Sequence, residues 1–255
     1  MSVRSDEIHL SVVFQEDVPE PALNRYRALL TAGEIARAER FVFEKHRSQQ
    51  IITRALLRTV LSGYAGIDPG AWCFTTNPYG RPQIAAPNAL PEISFNLAHT
   101  DGLVVCGCTR SARLGVDAEH MHDRDVSLDL AARYFSAEER AQLQQAPAAE
   151  RRERFLQYWT LKESYIKAIG RGLSTPLDQF SFSISPSRHI GLSFQRSLHD
   201  SGENWRCWLL RLPHRYVLAL CAERKGASPP RIVAHRVIPL ARTEPLKFEI
   251  IAQSH

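Results

Sequence analysis

The chain has 255 residues and a formal net charge of +5, from 32 Lys and Arg against 27 Asp and Glu. Its basic residues are dispersed instead of forming a block, which argues against a nucleic-acid-binding protein and fits an anionic ligand or an acidic partner protein. No apolar run is long enough to span a membrane, and the N-terminus lacks the apolar core of a secretory signal. We therefore expect a cytoplasmic protein that does not bind membranes.

The N-terminal half is predicted to begin with a long helix and to continue in short strands. The helix is expected over about Thr31–Leu61, because "TAGE" offers a capping box with Thr31 at the N-cap and Glu34 at N3. Strands are predicted at "WCFTT" (72–76), "PQIA" (82–85), "ISFNL" (93–97) and "LVVCGCT" (103–109), with a turn at "NPYGRP". The last of these strands and "LGVDAE" (114–119) flank the polar turn "RSAR" and are predicted to form a hairpin.

The C-terminal half repeats this order. Helices are predicted over about 127–169 with a break near "QQAPAA", and strands follow at "QFSFSI", "IGLSFQ", "WRCWLLRL" and "YVLALCAE". The pattern predicts an α+β fold of two similar halves, residues 1–113 and 114–225, with a C-terminal extension over 226–255 to which we assign no role. We expect a monomer.

The five cysteines are odd in number, and several lie in apolar, strand-like runs. This predicts reduced, buried thiols. Cys106 and Cys108 should point to one face of their strand, but no second Cys/His pair has the spacing of a zinc site.

The stretch "WTLKESYIKAIGRG" (159–172) places charge beside the apolar stripe of a helix. Lys162 falls inside the apolar arc, and Glu163 and Lys167 are spaced i, i+4 on its flank. One interpretation is a salt-bridged helix whose long lysine reaches out of the core to solvent. The other is a functional face.

Two carboxylates stand on one face of the strand "GVDAE". Asp117 and Glu119 repel each other there unless a cation or solvent offsets their charge. This pair is either an exposed strand end or part of a site for a hard divalent ion such as Mg²⁺, for which Glu163 could supply a third carboxylate.

Candidate anion contacts occur in two further stretches. In "FNLAHTDG", His99 is predicted to follow a strand and to precede the turn that begins at Thr100. It is either a structural histidine or a phosphate contact, because the N–H groups and hydroxyl of such a turn could bind an anion. Arg37 and Arg40 in "ARAERF", followed by Arg47, Arg54 and Arg58, form either a solvated helix face or a phosphate grip.

The motifs "FNLAHTDG", "LGVDAEH", "RYFSAEE" and "WTLKESYIKAIGRGLS", in this order, resemble the surfactin-synthetase-type 4'-phosphopantetheinyl transferases. "RFVFEKHRSQQIITRALLR" and "YGRP" also match, and the resemblance covers about residues 31–222. It implies two similar α+β halves with the active site in the cleft between them. It also implies a holo-acyl-carrier-protein synthase activity. Such an enzyme transfers 4'-phosphopantetheine from coenzyme A to a serine of an apo acyl or peptidyl carrier protein and releases adenosine 3',5'-bisphosphate.

The resemblance also implies a role for individual residues. Asp117, Glu119 and Glu163 would bind Mg²⁺, Lys167 would contact the pyrophosphate, and Asp117, Glu163 and Lys167 are the catalytic candidates. Glu163 could take the serine proton, although the sequence leaves open which carboxylate is the base. Coenzyme A would be bound by Lys167 and by a further set, in which Arg37 and His99 grip the 3'-phosphate and the "YGRP" turn borders the adenine: Arg37, Arg40, Gly80, Arg81, Pro82, Asn96, His99, Thr100 and Lys162.

The sequence departs from the family pattern at Ala98, Glu39 and Ala118, none of which replaces an essential residue. The alternatives are a Mg²⁺-dependent phosphohydrolase or nuclease, a basic nucleic-acid-binding protein, and an inactive coenzyme A-binding member of the same fold.

Overall fold

The computed structural model describes residues 3–86, 92–110, 112–121 and 128–254. The chain divides into two compact units, unit 1 over Met1–Ser111 and Pro230–Leu246, and unit 2 over Ala112–Pro229 and Lys247–His255. The helices and strands, in chain order, are β1 (Glu7–Phe14), α1 (Glu20–Arg27), α2 (Ala32–Glu39), α3 (Glu44–Ala65), β2 (Cys73–Thr76), β3 (Pro82–Ala86), β4 (Ile93–Thr100), β5 (Leu103–Arg110), β6 (Leu114–His120), α4 (Leu128–Tyr134), α5 (Ala137–Gln145), α6 (Ala148–Ile169), β7 (Phe180–Ile184), β8 (Ile190–Phe194), β9 (Trp205–Leu212), β10 (Tyr216–Glu223), β11 (Arg231–Ile238), β12 (Arg242–Pro245) and β13 (Glu249–Gln253). Each unit combines helices with a sheet, so the predicted α+β class is confirmed.

Unit 1 is built on a five-stranded sheet in the order β12-β11-β1-β5-β4. Strand β1 lies between a parallel neighbour, β11, and an antiparallel one, β5. Helix α3 packs on this sheet through a buried apolar face that includes Ile52, Leu56 and Leu57. The β2–β3 hairpin is a separate two-stranded sheet in the same unit.

The helix predicted over Thr31–Leu61 is two helices, α2 and α3. The predicted capping box at Thr31 is confirmed, because Thr31 accepts from the Glu34 N–H while the Glu34 carboxylate accepts from the Thr31 N–H. The break falls at Phe41–Phe43, where Phe43 is extended and acts as the N-cap of α3. Arg47 donates to the carbonyl oxygens of Phe41 and Val42, both at 2.9 Å, so these carbonyls are satisfied outside a helix.

Unit 2 is built on a four-stranded sheet in the order β13-β9-β10-β6, with the β7–β8 hairpin beside it. Helix α6 packs across β6 and β10, and its buried residues join those of β9, β10 and β7 in one core. The predicted hairpin between β5 and β6 is wrong. Strand β5 is already paired on both sides, with β1 and β4, and β6 pairs with β10 in the other unit.

The C-terminal segment adds strands to both sheets. Strand β11 lies parallel to β1 and is followed by β12 in unit 1, whereas β13 pairs with β9 in unit 2. Side chains fasten the segment to unit 1, since Tyr26 donates its hydroxyl to the Pro239 carbonyl at 3.0 Å and Arg236 makes an ion pair with Asp17.

All five cysteines are free thiols; four are buried, and Cys73 is exposed. Cys106 and Cys108 point to one face as predicted, with their sulfur atoms 3.8 Å apart. Among the described residues, no helix is both long and apolar enough to cross a membrane.

Candidate functional site

Helix α6 lies directly on strand β6 at Gly115. A Cβ atom at this position would stand 1.9 Å from the carbonyl oxygen of Ser164 and 2.4 Å from the backbone nitrogen of Ala168. Only a residue without a side chain permits such an approach. Because alternate residues of a strand share a face, Asp117 and Glu119 lie on the same helix-facing side of β6 as Gly115.

This contact brings Asp117 to Lys167. The Lys167 ammonium lies 2.7 Å from the Asp117 carboxylate, in an ion pair whose side chains are 28% and 10% exposed, respectively. Glu163 precedes Lys167 by one helical turn and is half-buried. Across the sheet, Asp117 and Glu119 face the apolar Ala219 and Val217 of β10. Charged side chains of strand β6 and helix α6 thus lie together at the edge strand of the unit 2 sheet.

The carboxylates are chemically suited to Mg²⁺, although the described residues include no group of three or more His, Cys, Asp or Glu side chains arranged to hold a metal ion. Asp117, Glu119 and Glu163 provide the hard oxygen donors that Mg²⁺ prefers. Asp117 already accommodates a cationic group, the Lys167 ammonium, at 2.7 Å. The donors are of the type that Mg²⁺ prefers, and the assignment of Asp117, Glu119 and Glu163 as its ligands remains a prediction.

The structure places Lys162 in the core of unit 2 and not in a coenzyme site. Its side chain is 1% exposed and lies 2.9 Å from the Glu139 carboxylate. It also donates to the carbonyl oxygens of Leu177 at 2.6 Å and Phe180 at 2.7 Å, so all three ammonium protons have partners. We therefore drop Lys162 from the coenzyme-binding set, and the alternative of a lysine reaching out to solvent is wrong as well.

Burial lowers the pKa of Lys162 and raises the pKa of Glu139, while the attraction between the two groups opposes both shifts. Glu139 is also the N3 residue of a capping box with Ser136, and it accepts from the Phe182 N–H at 2.8 Å. Its role was not predicted, although the spacing "SAEE" is a capping-box signal.

Unit 1 holds a cluster of arginines with one shared carboxylate. Arg58 and Arg54 on α3 approach Glu34 to 2.7 and 3.7 Å. The pKa of Arg54 is lowered mainly by burial; Glu34 opposes this shift, and the positive charges of Arg37 and Arg58 add to it. Arg58 is fully buried and is not part of a solvated face. Because Arg54 and Arg58 share the single carboxylate of Glu34 and Arg37 is exposed beside them, this surface has an excess of positive charge.

The "NPYGRP" turn is confirmed, and it is held by its own hydrogen bonds. The Asn77 side chain accepts from the N–H groups of Tyr79 and Arg81, both at 2.9 Å, and Gly80 has the positive φ of +85° that suits glycine. Arg81 donates to the Phe95 carbonyl at 3.3 Å, which ties the turn to β4, and burial lowers the pKa of Arg81. Pro82 opens β3 directly after the turn.

His99 lies at the surface, near the end of β4. His99 is exposed and lies within the strand, paired with Val104, and not after the strand as predicted. Asn96 is buried in the same strand. Gln49 of α3 donates to the Thr100 carbonyl at 2.5 Å, so the end of β4 is fixed to α3. Arg40, the C-cap of α2, is exposed.

Two family models match consecutive parts of the chain. The model described as "4'-phosphopantetheinyl transferase, N-terminal" matches residues 20–111, and that described as "4'-phosphopantetheinyl transferase superfamily" matches residues 113–221. These ranges meet where unit 1 passes into unit 2.

Individual proteins are similar over most of the chain. The 4'-phosphopantetheinyl transferase HetI of Nostoc sp. is 33% identical over 187 residues, which is 73% of this chain and 78% of that protein. The 4'-phosphopantetheinyl transferase Sfp of Bacillus subtilis is 29% identical over 198 residues, which is 78% of this chain and 84% of that protein. A match to a solved structure titled "Chronobacterium ammoniagenes ACPS-CoA complex" covers 46% of this chain and 98% of that chain, at 19% identity and a TM-score of 0.33.

Proposed function

The chain belongs to the 4'-phosphopantetheinyl transferase superfamily as a surfactin-synthetase-type enzyme, and from this premise we propose its substrates and its cofactor. We propose that it transfers the 4'-phosphopantetheine group of coenzyme A to a serine of an apo acyl or peptidyl carrier protein, with Mg²⁺, and releases adenosine 3',5'-bisphosphate. The observation that carries this proposal is the contact between β6 and α6, which sets Asp117 against Lys167 beside Glu119 and Glu163.

These residues suit attack on a pyrophosphate. The serine oxygen would form a bond to the phosphorus of the phosphopantetheine group, the bond from this phosphorus to the adenosine bisphosphate would break, and the serine proton would pass to a base. Glu163 is the base we propose, and Lys167 would offset the charge that develops on the leaving phosphate. Mg²⁺ held by Asp117, Glu119 and Glu163 would supply further charge neutralisation.

In unit 1 we propose binding of the adenosine end of the coenzyme. Arg37, next to Arg54, and the exposed His99 would contact the 3'-phosphate. The turn formed by Gly80, Arg81 and Pro82 would border the adenine, because it is fixed by hydrogen bonds and presents its backbone without a side chain at Gly80. Arg40, Asn96 and Thr100 complete the proposed coenzyme set.

Intact-protein mass spectrometry tests the proposal. Purified protein, an apo carrier protein, coenzyme A and Mg²⁺ should give a mass gain of one phosphopantetheine on the carrier, and EDTA should abolish it. Glu163→Gln should lower the transfer rate by about 10²-fold or more, which is the usual contribution of a general base, without changing the thermal unfolding midpoint.

Glu150→Gln is the matched control, because Glu150 is an exposed residue of the same helix. It should transfer at the wild-type rate. Full activity of Glu163→Gln would exclude our assignment of Glu163. Release of inorganic phosphate without modification of the carrier would show a phosphohydrolase instead.

A further inference from the structure

Two buried thiols face each other across the central strands of the unit 2 sheet. Cys207 of β9 and Cys221 of β10 are paired in register, are 1% and 0% exposed, and have their sulfur atoms 3.6 Å apart. Both are free thiols, and Cys207 donates its S–H to the Cys221 sulfur. No step of the proposed transfer reaction uses either of them.

The backbone around Cys207 gives this pair the geometry of a cross-strand disulfide. The Cys207 N–H donates to the Ser254 hydroxyl oxygen at 2.8 Å, and the Cys207 carbonyl oxygen accepts from the Ser254 N–H at 2.9 Å. These backbone groups therefore point away from β10, so Cys207 and Cys221 are a non-hydrogen-bonded pair of the antiparallel ladder. In such pairs the Cα atoms are about 4.5 Å apart and the side chains are closest, within the range that a disulfide spans.

The other close pair of thiols is less suited to a disulfide. The sulfur atoms of Cys106 and Cys108 are 3.8 Å apart, but both residues belong to the same strand, β5. Two positions along one strand separate the Cα atoms by about 6.6 Å, near the upper limit for a disulfide. Cys73 is exposed and lies in unit 1. Among the five thiols, the placement of Cys207 and Cys221 therefore favours a bond most.

A cavity gives small molecules access to Cys207. Its volume is about 440 Å³, and its lining includes the exposed Ser193 and Arg224 as well as Cys207. Cys207 is therefore the sulfur that a small oxidant in this cavity would meet. Burial and the contact with Cys207 raise the pKa of the Cys221 thiol. Because the thiolate is the reactive form, the pair should stay reduced until oxidant is abundant.

We propose that Cys207 and Cys221 are an oxidation site, at which a peroxide joins them in a cross-strand disulfide that slows the transfer reaction. The Cys207 sulfur attacks a peroxide oxygen, which gives a sulfenic acid and one molecule of water. The Cys221 sulfur then attacks the Cys207 sulfur and releases a second molecule of water. Each sulfur gives up one electron to the peroxide, and the two thiol protons leave with the water.

The position of Cys221 connects this disulfide to the candidate site. Cys221 is paired with Gly115 of β6, where an added Cβ would stand 1.9 Å from the Ser164 carbonyl oxygen of α6. A disulfide would draw the two sulfur atoms from 3.6 Å to about 2 Å apart. Because a closely packed core transmits such a shift, β6 and α6 would move where they hold Asp117 and Lys167 at 2.7 Å. The slower transfer rests on the proposed function, whereas the disulfide itself does not.

Mass spectrometry after treatment with hydrogen peroxide tests the site in a Cys73→Ser background, in which the exposed thiol cannot join two molecules. The treated protein should lose the mass of two hydrogen atoms. Trypsin cuts at Arg211 and Arg215, between the two cysteines, so the digest should contain two peptides joined through Cys207 and Cys221. Transfer to an apo carrier protein should slow about tenfold or more, since a misplacement of about 1 Å can cost about 10²-fold. Dithiothreitol should reverse all three changes.

Cys207→Ala and Cys221→Ala each remove one partner, so neither should form the bond, and peroxide should leave their transfer rates unchanged. Cys108→Ala is the matched control, because Cys108 is an equally buried thiol of unit 1, and it should still form the disulfide. Treated protein that retains both thiols, or that joins Cys106 to Cys108 instead, would overturn the oxidation site. A disulfide between Cys207 and Cys221 that leaves the transfer rate unchanged would overturn its coupling to the candidate site. If the untreated protein does not transfer but the treated protein forms the disulfide, the proposed function fails and the oxidation site stands.

Discussion

Gly115 shows how one missing side chain positions a site. Its Cα faces the backbone of α6 at Ser164 and Ala168, and the acids of the same strand face follow at alternate positions. The approach sets the distance between Asp117 on the strand and Lys167 on the helix. A glycine inside a strand pattern is a known sign of such an approach, but the partner that approaches it lies about fifty residues away in the chain.

We predict that Gly115→Ala destabilises the protein and impairs transfer. The new Cβ would lie 1.9 Å from the Ser164 oxygen, so α6 must move away from β6. Overpacking of this kind lowers the free energy of unfolding by roughly 1–3 kcal/mol, which urea denaturation would measure. Gly33→Ala in α2 is the control, because nothing lies within 4 Å of its added Cβ, and it should not be destabilised. Equal stability of the two variants would contradict the tight contact.

At the scale of elements, the pairing of β1 with β11 depends on a buried carboxylate. Glu7 of β1 accepts from Arg231 of β11 at 2.5 Å and lies 2.9 Å from the Nε2 atom of His9. These hydrogen bonds, with that of Arg231 the larger cause, lower the pKa of Glu7 from 4.5 to about 2. A carboxyl group whose pKa falls on folding stabilises the folded state above its unfolded pKa, and that stabilisation is lost as the pH falls through the folded pKa.

We therefore expect Glu7→Gln to unfold at lower urea concentration than wild type at pH 7. The difference should shrink as the pH falls below about 4.5 and should be largely lost at about pH 2, where Glu7 is protonated in the unfolded state and about half protonated in the folded state. Urea unfolding midpoints of wild type and Glu7→Gln, measured between pH 7 and pH 2, test this expectation. Glu138→Gln, an exposed change in the first turn of α5, should follow the wild-type profile. Midpoints of wild type and Glu7→Gln that differ by a constant amount over the whole range would refute the linkage.

The elements that the sequence predicts well are those with local signals. The capping box at Thr31 and the strands β2 to β5 follow from spacing and turn residues close in the chain. The pairing of strands that are far apart in the chain does not follow from local signals. Strand β5 pairs with β1 as well as with β4, and β1 pairs with β11, which sets Glu7 opposite Arg231. The same limit applies to Lys162. Helical spacing predicts its place in the apolar arc, but it does not predict its partners, which are Glu139 and the carbonyl oxygens of Leu177 and Phe180.

At the scale of the whole molecule, the C-terminal segment supplies strands to both units. Val237 of β11 is 3% exposed and belongs to the core of unit 1, whereas Ala252 of β13 is 2% exposed and belongs to the core of unit 2. A segment that extended past a finished fold would not bury residues in two cores. It is therefore part of the fold, although its first residues, "GASPP", have the composition of a linker.

We predict that removing residues 230–255 destabilises both units, and that removing only residues 247–255 destabilises unit 2 alone. The longer deletion removes β11 and β12 from beside β1, and the buried side chain of Val237 alone is worth roughly 2 kcal/mol. Hydrogen exchange followed by mass spectrometry should then show faster exchange in β1 and β9 for the longer deletion, because each loses a hydrogen-bonded neighbour. The shorter deletion should leave β1 protected and expose β9 only, since β13 pairs with β9 and β11 stays in place. Wild-type protection of β1 in the longer deletion would show that unit 1 folds without its C-terminal strands.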